Sequence, residues 1–259
     1  MNLHYERYGT SGRQPLIILH GLFGSSDNWS SLAKRFAENG YDVIVPDLRN
    51  HGQSGHSDTM TYQAMNQDLQ ELIDSLDLPV VHLLGHSLGG KVAMTFAQDM
   101  PEKVDKLIVA DMSPQATNGT IHSKLIDSML SVDFDQASSR RDIEAQLKGS
   151  IPDDRIRLFL LKNIVRKDKS TFRWQINLEA IKNNLGEIFR EIEVANTYTK
   201  PVLFLRGEKS DYIPDKAIPR IKKLFSGARF ETIKNGTHWL HADNPEDFSR
   251  EVLRFLGKA

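Results

Sequence analysis

The chain has 259 residues, 39% of them hydrophobic and 26% charged, with a formal net charge of −1. That is enough apolar material for one sizeable core, and too balanced a charge to drive the chain toward nucleic acid. There is no cysteine, which removes disulfides, thiolate metal clusters and a cysteine nucleophile from consideration.

The first residues, Met1 to Arg7, carry no apolar signal core, and no uninterrupted apolar run approaches the ~18 residues of a membrane span. A cytoplasmic protein without a membrane span is the expectation, with the oligomeric state, monomer or dimer, left open. Short apolar runs then alternate with helical periodicity. Leu16 to Leu19, Val43 to Val45, Val80 to Leu84, Leu107 to Val109 and Val202 to Leu205 read as strands buried on both faces, and Phe230 to Ile233 as the last strand. Between them Leu69, Leu72, Ile73 and Leu76 fall at helical spacing, as do Val92, Phe96 and Met100, and later Phe248, Val252 and Phe255. This βα repetition predicts an α/β fold: a mostly parallel, doubly wound sheet with helices on both faces. The alternation breaks between about Ser113 and Thr199, where helical patterns follow one another without a clear sheet strand. Residues 1–112 and 199–259 are therefore expected to form the core, and 113–198 a helical cap inserted into it.

In open parallel sheets ligands bind at the carboxyl ends of the strands, so candidate residues are sought there. After the first long strand, His20-Gly21-Leu22-Phe23-Gly24 offers backbone amides that could face an oxyanion, although an ordinary glycine turn with a structural His20 would read the same. The run Val80 to Leu84 leads into Gly85-His86-Ser87-Leu88-Gly89-Gly90 and then an amphipathic segment. Strand, tight turn and helix with a serine at the apex match the G-x-S-x-G nucleophile elbow. A serine hydroxyl is a weak nucleophile, and it needs exposure, a base and two N–H donors; Leu22 and Leu88 are the obvious donor pair. Two aspartates end strands on the same edge, Asp111 after Leu107 to Ala110 and Asp211 after Val202 to Arg206, and either could orient a histidine. After the last strand, Asn235-Gly236-Thr237-His238-Trp239 places a histidine just before the terminal helix, where a general base is required. Among its rivals, His82 lies inside a strand, His86 points away from its elbow position, and His241 begins a helix.

Together these segments, with Asp47-Leu48-Arg49-Asn50-His51-Gly52-Gln53-Ser54 and Asp111-Met112-Ser113-Pro114, resemble the α/β-hydrolase fold serine hydrolases, most closely bacterial esterases of that family. The resemblance implies that the usual position of the acid, set by Gly207 and Pro214, falls on Ser210 and displaces Asp211 by one residue. In the esterase subgroup it implies Asp111 as the acid and Ser210 as an accessory hydrogen-bonding group, with Asp211 the alternative. It also implies that Asp47 to Ser54 is a structural turn. The expected activity is cofactor-independent hydrolysis of short to medium acyl esters, with acyl-CoA thioesters open to the same chemistry; a carbon–carbon bond hydrolase or lyase using the same serine and histidine, and a non-catalytic small-molecule binding protein on this scaffold, are the alternatives. Phe23 and Trp239, with apolar residues such as Met129 and Phe159, are expected around the acyl group. No metal-ligand spacing is present.

Overall fold

The computed structural model describes residues 1–168, 171–192 and 197–257. Its central sheet has seven strands, β1 (Tyr5–Tyr8), β2 (Gln14–Leu19), β3 (Tyr41–Pro46), β4 (Val81–His86), β5 (Val104–Ala110), β8 (Val202–Gly207) and β9 (Ala228–Ile233), in the order β1-β3-β2-β4-β5-β8-β9. Only β1 runs antiparallel, pairing Tyr5 with Pro46 of β3, and the other pairings are parallel. Neither it nor the short hairpin of β6 (Ile164–Arg166) and β7 (Phe172–Trp174) is evident from the sequence. Tyr-Glu-Arg-Tyr is an edge strand that stays partly exposed, so it lacks the apolar run that marks the inner strands.

The inner strands are buried on both faces, and successive residues go to opposite sides of the sheet. Ile17, Leu19, Ile44, Leu83, Leu107, Val109 and Phe204 face one apolar cluster, with α2 (Tyr62–Ser75) and α3 (Leu88–Asp99) supplying Leu69, Ile73, Val92 and Phe96. Leu16, Ile18, Val43, Val45, Leu84, Ile108 and Leu205 face the other, covered by Phe36 of α1 (Ser30–Glu38) and by Phe248 and Val252 of α11 (Pro245–Leu256). Each such side chain contributes about 1.5–3 kcal/mol by leaving water, so the sheet is the rigid part to which the strand ends are fixed. The last helix is bounded as its sequence dictates. Asn244 accepts a hydrogen bond from the Asp247 amide, Pro245 opens the first turn, and Gly257 closes it at φ 93°.

Between β5 and β8 the chain leaves the sheet. There it forms α4 (Thr120–Leu130), α5 (Arg140–Leu147), α6 (Asp154–Leu161), the β6–β7 hairpin, α7 (Leu178–Asn183) and α8 (Leu185–Phe189). After β8 come α9 (Ile218–Leu224) and, beyond β9, α10 (Leu240–Asp243). Among the described residues no helix is long and apolar enough to cross a membrane.

Candidate active site

The candidate residues converge at the carboxyl ends of neighbouring strands. Ser87 follows β4 directly and caps α3 at φ 52°, ψ −117°, a left-handed backbone that raises its side chain above the sheet. The turn closes only because a Cβ at Gly85 would run into the backbone of Gly89, and one at Gly89 into the carbonyls of Leu19 and His20. The Ser87 amide donates to Ala110 O at 3.2 Å, tying the apex to the end of β5. Phe23 and Asp111 also hold positive φ, 64° and 50°. Three non-glycine residues in this region at one site mark a place where geometry is held against backbone preference.

The ring of His238 lies between the serine and an aspartate. Its Nε2 is 2.9 Å from Ser87 Oγ and its Nδ1 is 2.8 Å from Asp111 Oδ2. With a carboxylate at Nδ1, that nitrogen carries the proton and donates, leaving Nε2 to accept from the serine hydroxyl. Asp111 is fully buried and well supplied with donors. The Gly207 amide donates to Oδ1 at 3.0 Å, the Ser210 hydroxyl donates to Oδ2, and the Asp111 amide is anchored on Leu205 O at 2.7 Å. Asp211, one residue beyond Ser210, is exposed. The left-handed turn at Asp111 after β5 carries its carboxylate to the histidine. The aromatic ring of Tyr212 stacks on His238 at 3.8 Å and 17°.

The other histidines near the site are structural by their partners. Burial, and then the neighbouring His238, pushes His86 down to about 3. Neutral at that value, it donates from Nε2 to the His238 carbonyl at 2.7 Å, so it holds the loop that carries His238. His241 is buried in α10, stacked on Trp29 at 4.4 Å and held well below its ordinary pKa by burial. His82 is buried within β4 beside Asp105, at 3.4 Å.

The loop bearing Leu22 is clamped from Asp47 to Ser54. His20 accepts the Leu48 amide at Nε2 and donates from Nδ1 to Gly21 O; His51 accepts the Phe23 amide at 3.2 Å and donates to Arg49 O. Burial keeps both rings neutral, His51 at about 3, as these two-way bonds require. Asp47 accepts the amides of Ser26 and Gln53. A Cβ at Gly21 would sit 3.2 Å from Ser87 Cβ, so this loop passes directly beside the serine. Leu22, Ser87 and Leu88 border one small cavity.

A larger cavity of about 200 Å³ opens in front of Ser87. Phe23, Trp29 and Trp239 line it from the sheet side, and Ile121, Leu125, Ile156 and Phe159 from α4 and α6. Met129 is not among its walls. It faces inward from α4 into the apolar core, fully buried, and only its carbonyl is used, by Trp174 Nε1 at 2.8 Å. Arg155 of α6 crosses to the His238 loop. Its guanidinium pairs with Asp243 at 2.6 Å and lies 4.6 Å from the centre of the Trp239 ring. The same Asp243 accepts from the amide and hydroxyl of Thr237. Sequence reasoning missed Arg155, Tyr212 and Lys91. Only Lys91 left a signal, as a lone charge in the apolar first turns of α3.

Residues 14–245 match the family model described as alpha/beta hydrolase fold. The sn-1-specific diacylglycerol lipase ABHD11 of Danio rerio is 40% identical over 99% of this chain and 83% of its own length. A solved structure titled "Marine microorganism esterase" superposes with a TM-score of 0.94, at 45% identity, covering 98% of this chain and 99% of that one. Esterase YbfF of Escherichia coli (strain K12) is 29% identical over 93% of this chain and 92% of its own length. The likeness therefore is not confined to bacterial esterases of the YbfF kind, since the vertebrate lipase shares more of the sequence.

Proposed function

The chain belongs to the α/β-hydrolase fold family and is a hydrolase of the esterase/lipase kind; from that premise we propose that it cleaves carboxylic esters through an acyl-enzyme on Ser87. His238 takes the proton from the Ser87 hydroxyl as Oγ attacks the acyl carbonyl, and returns it to the leaving alcohol. Asp111 keeps the imidazole in the tautomer that leaves Nε2 free and stabilises the imidazolium once formed. The amides of Leu22 and Leu88 hold the tetrahedral oxyanion, a contribution typically worth ~100- to 1,000-fold in turnover per donor. Water, deprotonated by the same histidine, then releases the acid and restores the serine.

The observation that carries this reading is the pair of contacts made by one ring, 2.9 Å to Ser87 and 2.8 Å to Asp111, with Ser87 held at the mouth of an apolar cavity. Ser210 acts as an accessory donor to the acid, and Asp211 has no part in the reaction. Residues 113–198 form the cap, which selects the substrate through the walls it contributes. A cavity of about 200 Å³ suits a short to medium acyl chain, with Phe23 and Trp239 against it. The same steps would accept a thioester, and a parallel panel of acyl-CoA substrates decides whether they do.

The test is rapid mixing with p-nitrophenyl butyrate. The wild-type protein is expected to release a burst of p-nitrophenol equal to the enzyme, and Ser87→Ala to lose the burst with a fall in turnover of about 10⁴ or more at unchanged circular dichroism. Undiminished turnover in the folded variant would refute the assignment.

A further inference from the structure

Beside the large apolar cavity lies a second, much smaller one, which shares Leu22, Ser87 and His122 with it. Leu88, Lys91, Met112, Thr117, Ile188 and Phe189 complete its lining. Thr117 Oγ1 and His122 Nδ1 are both buried without a hydrogen-bond partner. Buried polar atoms in native proteins are nearly always satisfied, and both of these residues border the same small cavity beside the nucleophile, where one ligand group can complete them. Lys91 borders the same cavity and adds a donor. Its ammonium gives hydrogen bonds to Arg190 O at 2.6 Å and Phe189 O at 3.5 Å, and an ammonium has three hydrogens to give. The His122 ring is held in place between Phe23, at 6.0 Å, and Phe189, at 4.7 Å.

We propose that this side cavity is a subsite for a hydroxyl group on the acyl chain, and that the preferred substrates are esters of short hydroxy acids. The inference rests on the ester-hydrolase reading and names its substrate class. Size and chemistry both select a hydroxyl. The space, about 10 Å³, accommodates one water-sized group and excludes a carboxylate. A threonine hydroxyl and a neutral imidazole can each donate or accept, which matches a group that does both. Burial lowers His122 to about 4, so the ring is neutral at physiological pH. Ser87 itself borders the cavity, so the hydroxyl belongs on the first or second carbon beyond the acyl carbonyl, apart from the oxygen that the Leu22 and Leu88 amides hold.

The experiment compares kcat/KM for the p-nitrophenyl esters of butyrate, 2-hydroxybutyrate and 3-hydroxybutyrate in the wild-type protein and in Thr117→Val, Thr117→Ser and His122→Phe. Each ester is corrected for its own rate of spontaneous hydrolysis. The ratio of hydroxy to plain ester is read within each protein, so a general loss of activity or of folded fraction cancels. The wild-type ratio for one of the hydroxy esters is expected to be about tenfold or more, because a site built around a hydroxyl penalises the analogue that lacks it. It should fall toward one in Thr117→Val and His122→Phe and be retained in Thr117→Ser. A wild-type ratio near one for both hydroxy esters, unmoved by the variants, would overturn the subsite and leave the cavity to an ordered water. Turnover of none of the esters would overturn the ester-hydrolase reading and this inference with it.

Discussion

The corner around Ser87 and the insertion that roofs it are fastened in different ways. At the corner, backbone groups at strand ends set the polar atoms: Ala110 O holds the Ser87 amide, Leu205 O the Asp111 amide, and the Gly207 amide the Asp111 carboxylate. Residues 113–198 reach the core largely through side chains, among them Asn163 Nδ2 to Phe23 O at 2.9 Å, Asn184 Nδ2 to Asp58 O at 2.7 Å, and the Arg155–Asp243 pair. Ile121, Leu130 and Leu158, the large apolar side chains left exposed among the described residues, all lie in the insertion. The groups proposed to react are thus placed by a sheet that cannot shift without losing its core. The cavity walls that α4 and α6 contribute share the apolar core of the sheet but add polar ties made by individual side chains, which can be exchanged one at a time.

The largest predicted effect breaks the corner itself. Asp111→Asn keeps the shape but removes the charge that fixes the histidine tautomer, and kcat should fall by about 10⁴, while Asp211→Asn stays within about twofold of wild type because its side chain is exposed. Equal losses in the two variants would contradict the placement of the acid. This was the point at which residue reading alone stopped. Asp111 and Asp211 both follow strands on the reactive edge, and nothing in their neighbours reveals that Asp111 adopts φ 50° and turns inward. The resemblance leaned to Asp111; the contact to His238 is a tertiary fact.

Much else at the corner was legible because it is local. The glycine at 85 is dictated by backbone approach within six residues, and the inner strands by continuous apolar runs buried on two faces; the glycine at 89 is forced by the remote carbonyls of Leu19 and His20 and was legible only through the elbow pattern. The edge strand β1 and the β6–β7 hairpin were not, since an edge needs no such run. Nor was the bridge from Arg155 to the His238 loop, because charged residues on a helix face are usually solvated and their partner, Asp243, is remote in sequence.

Acid should separate the two regions next. His51, His86, His82 and His241 are buried in the core and held below their ordinary 6.5, the first two at about 3 and His82 at about 4; in the insertion only His122, among the described residues, is held down in this way. The folded state resists protonating these rings and the unfolded chain does not. Their neutral forms therefore cost nothing above pH 6.5, and stability is lost as pH falls from there toward 4. Each ring that stays neutral in the fold removes up to roughly 1 kcal/mol per pH unit below 6.5, fading as pH nears that ring's own folded value. The urea midpoint should drop steeply between pH 6.5 and 4.5, and a flat profile would show that these rings are not buried as described.

The smallest effect concerns the link between the regions. Arg155 is half-exposed, so its pair with Asp243 is worth at most ~1 kcal/mol. Arg155→Ala should lower kcat/KM by no more than about fivefold, and should cost little further in an Asp243→Asn background, since both changes break one bridge. Losses that multiply independently would mean that Arg155 does not act through that loop.

The most direct test of the convergence at Ser87 is covalent. A fluorophosphonate probe reacts with a serine only where a base and oxyanion donors activate it. Intact mass and peptide mapping after labelling should show a single adduct, on Ser87, that is absent in Ser87→Ala and strongly slowed in His238→Ala. A folded wild-type protein that hydrolyses esters yet takes up no label at Ser87, or carries it on another residue, would contradict the account.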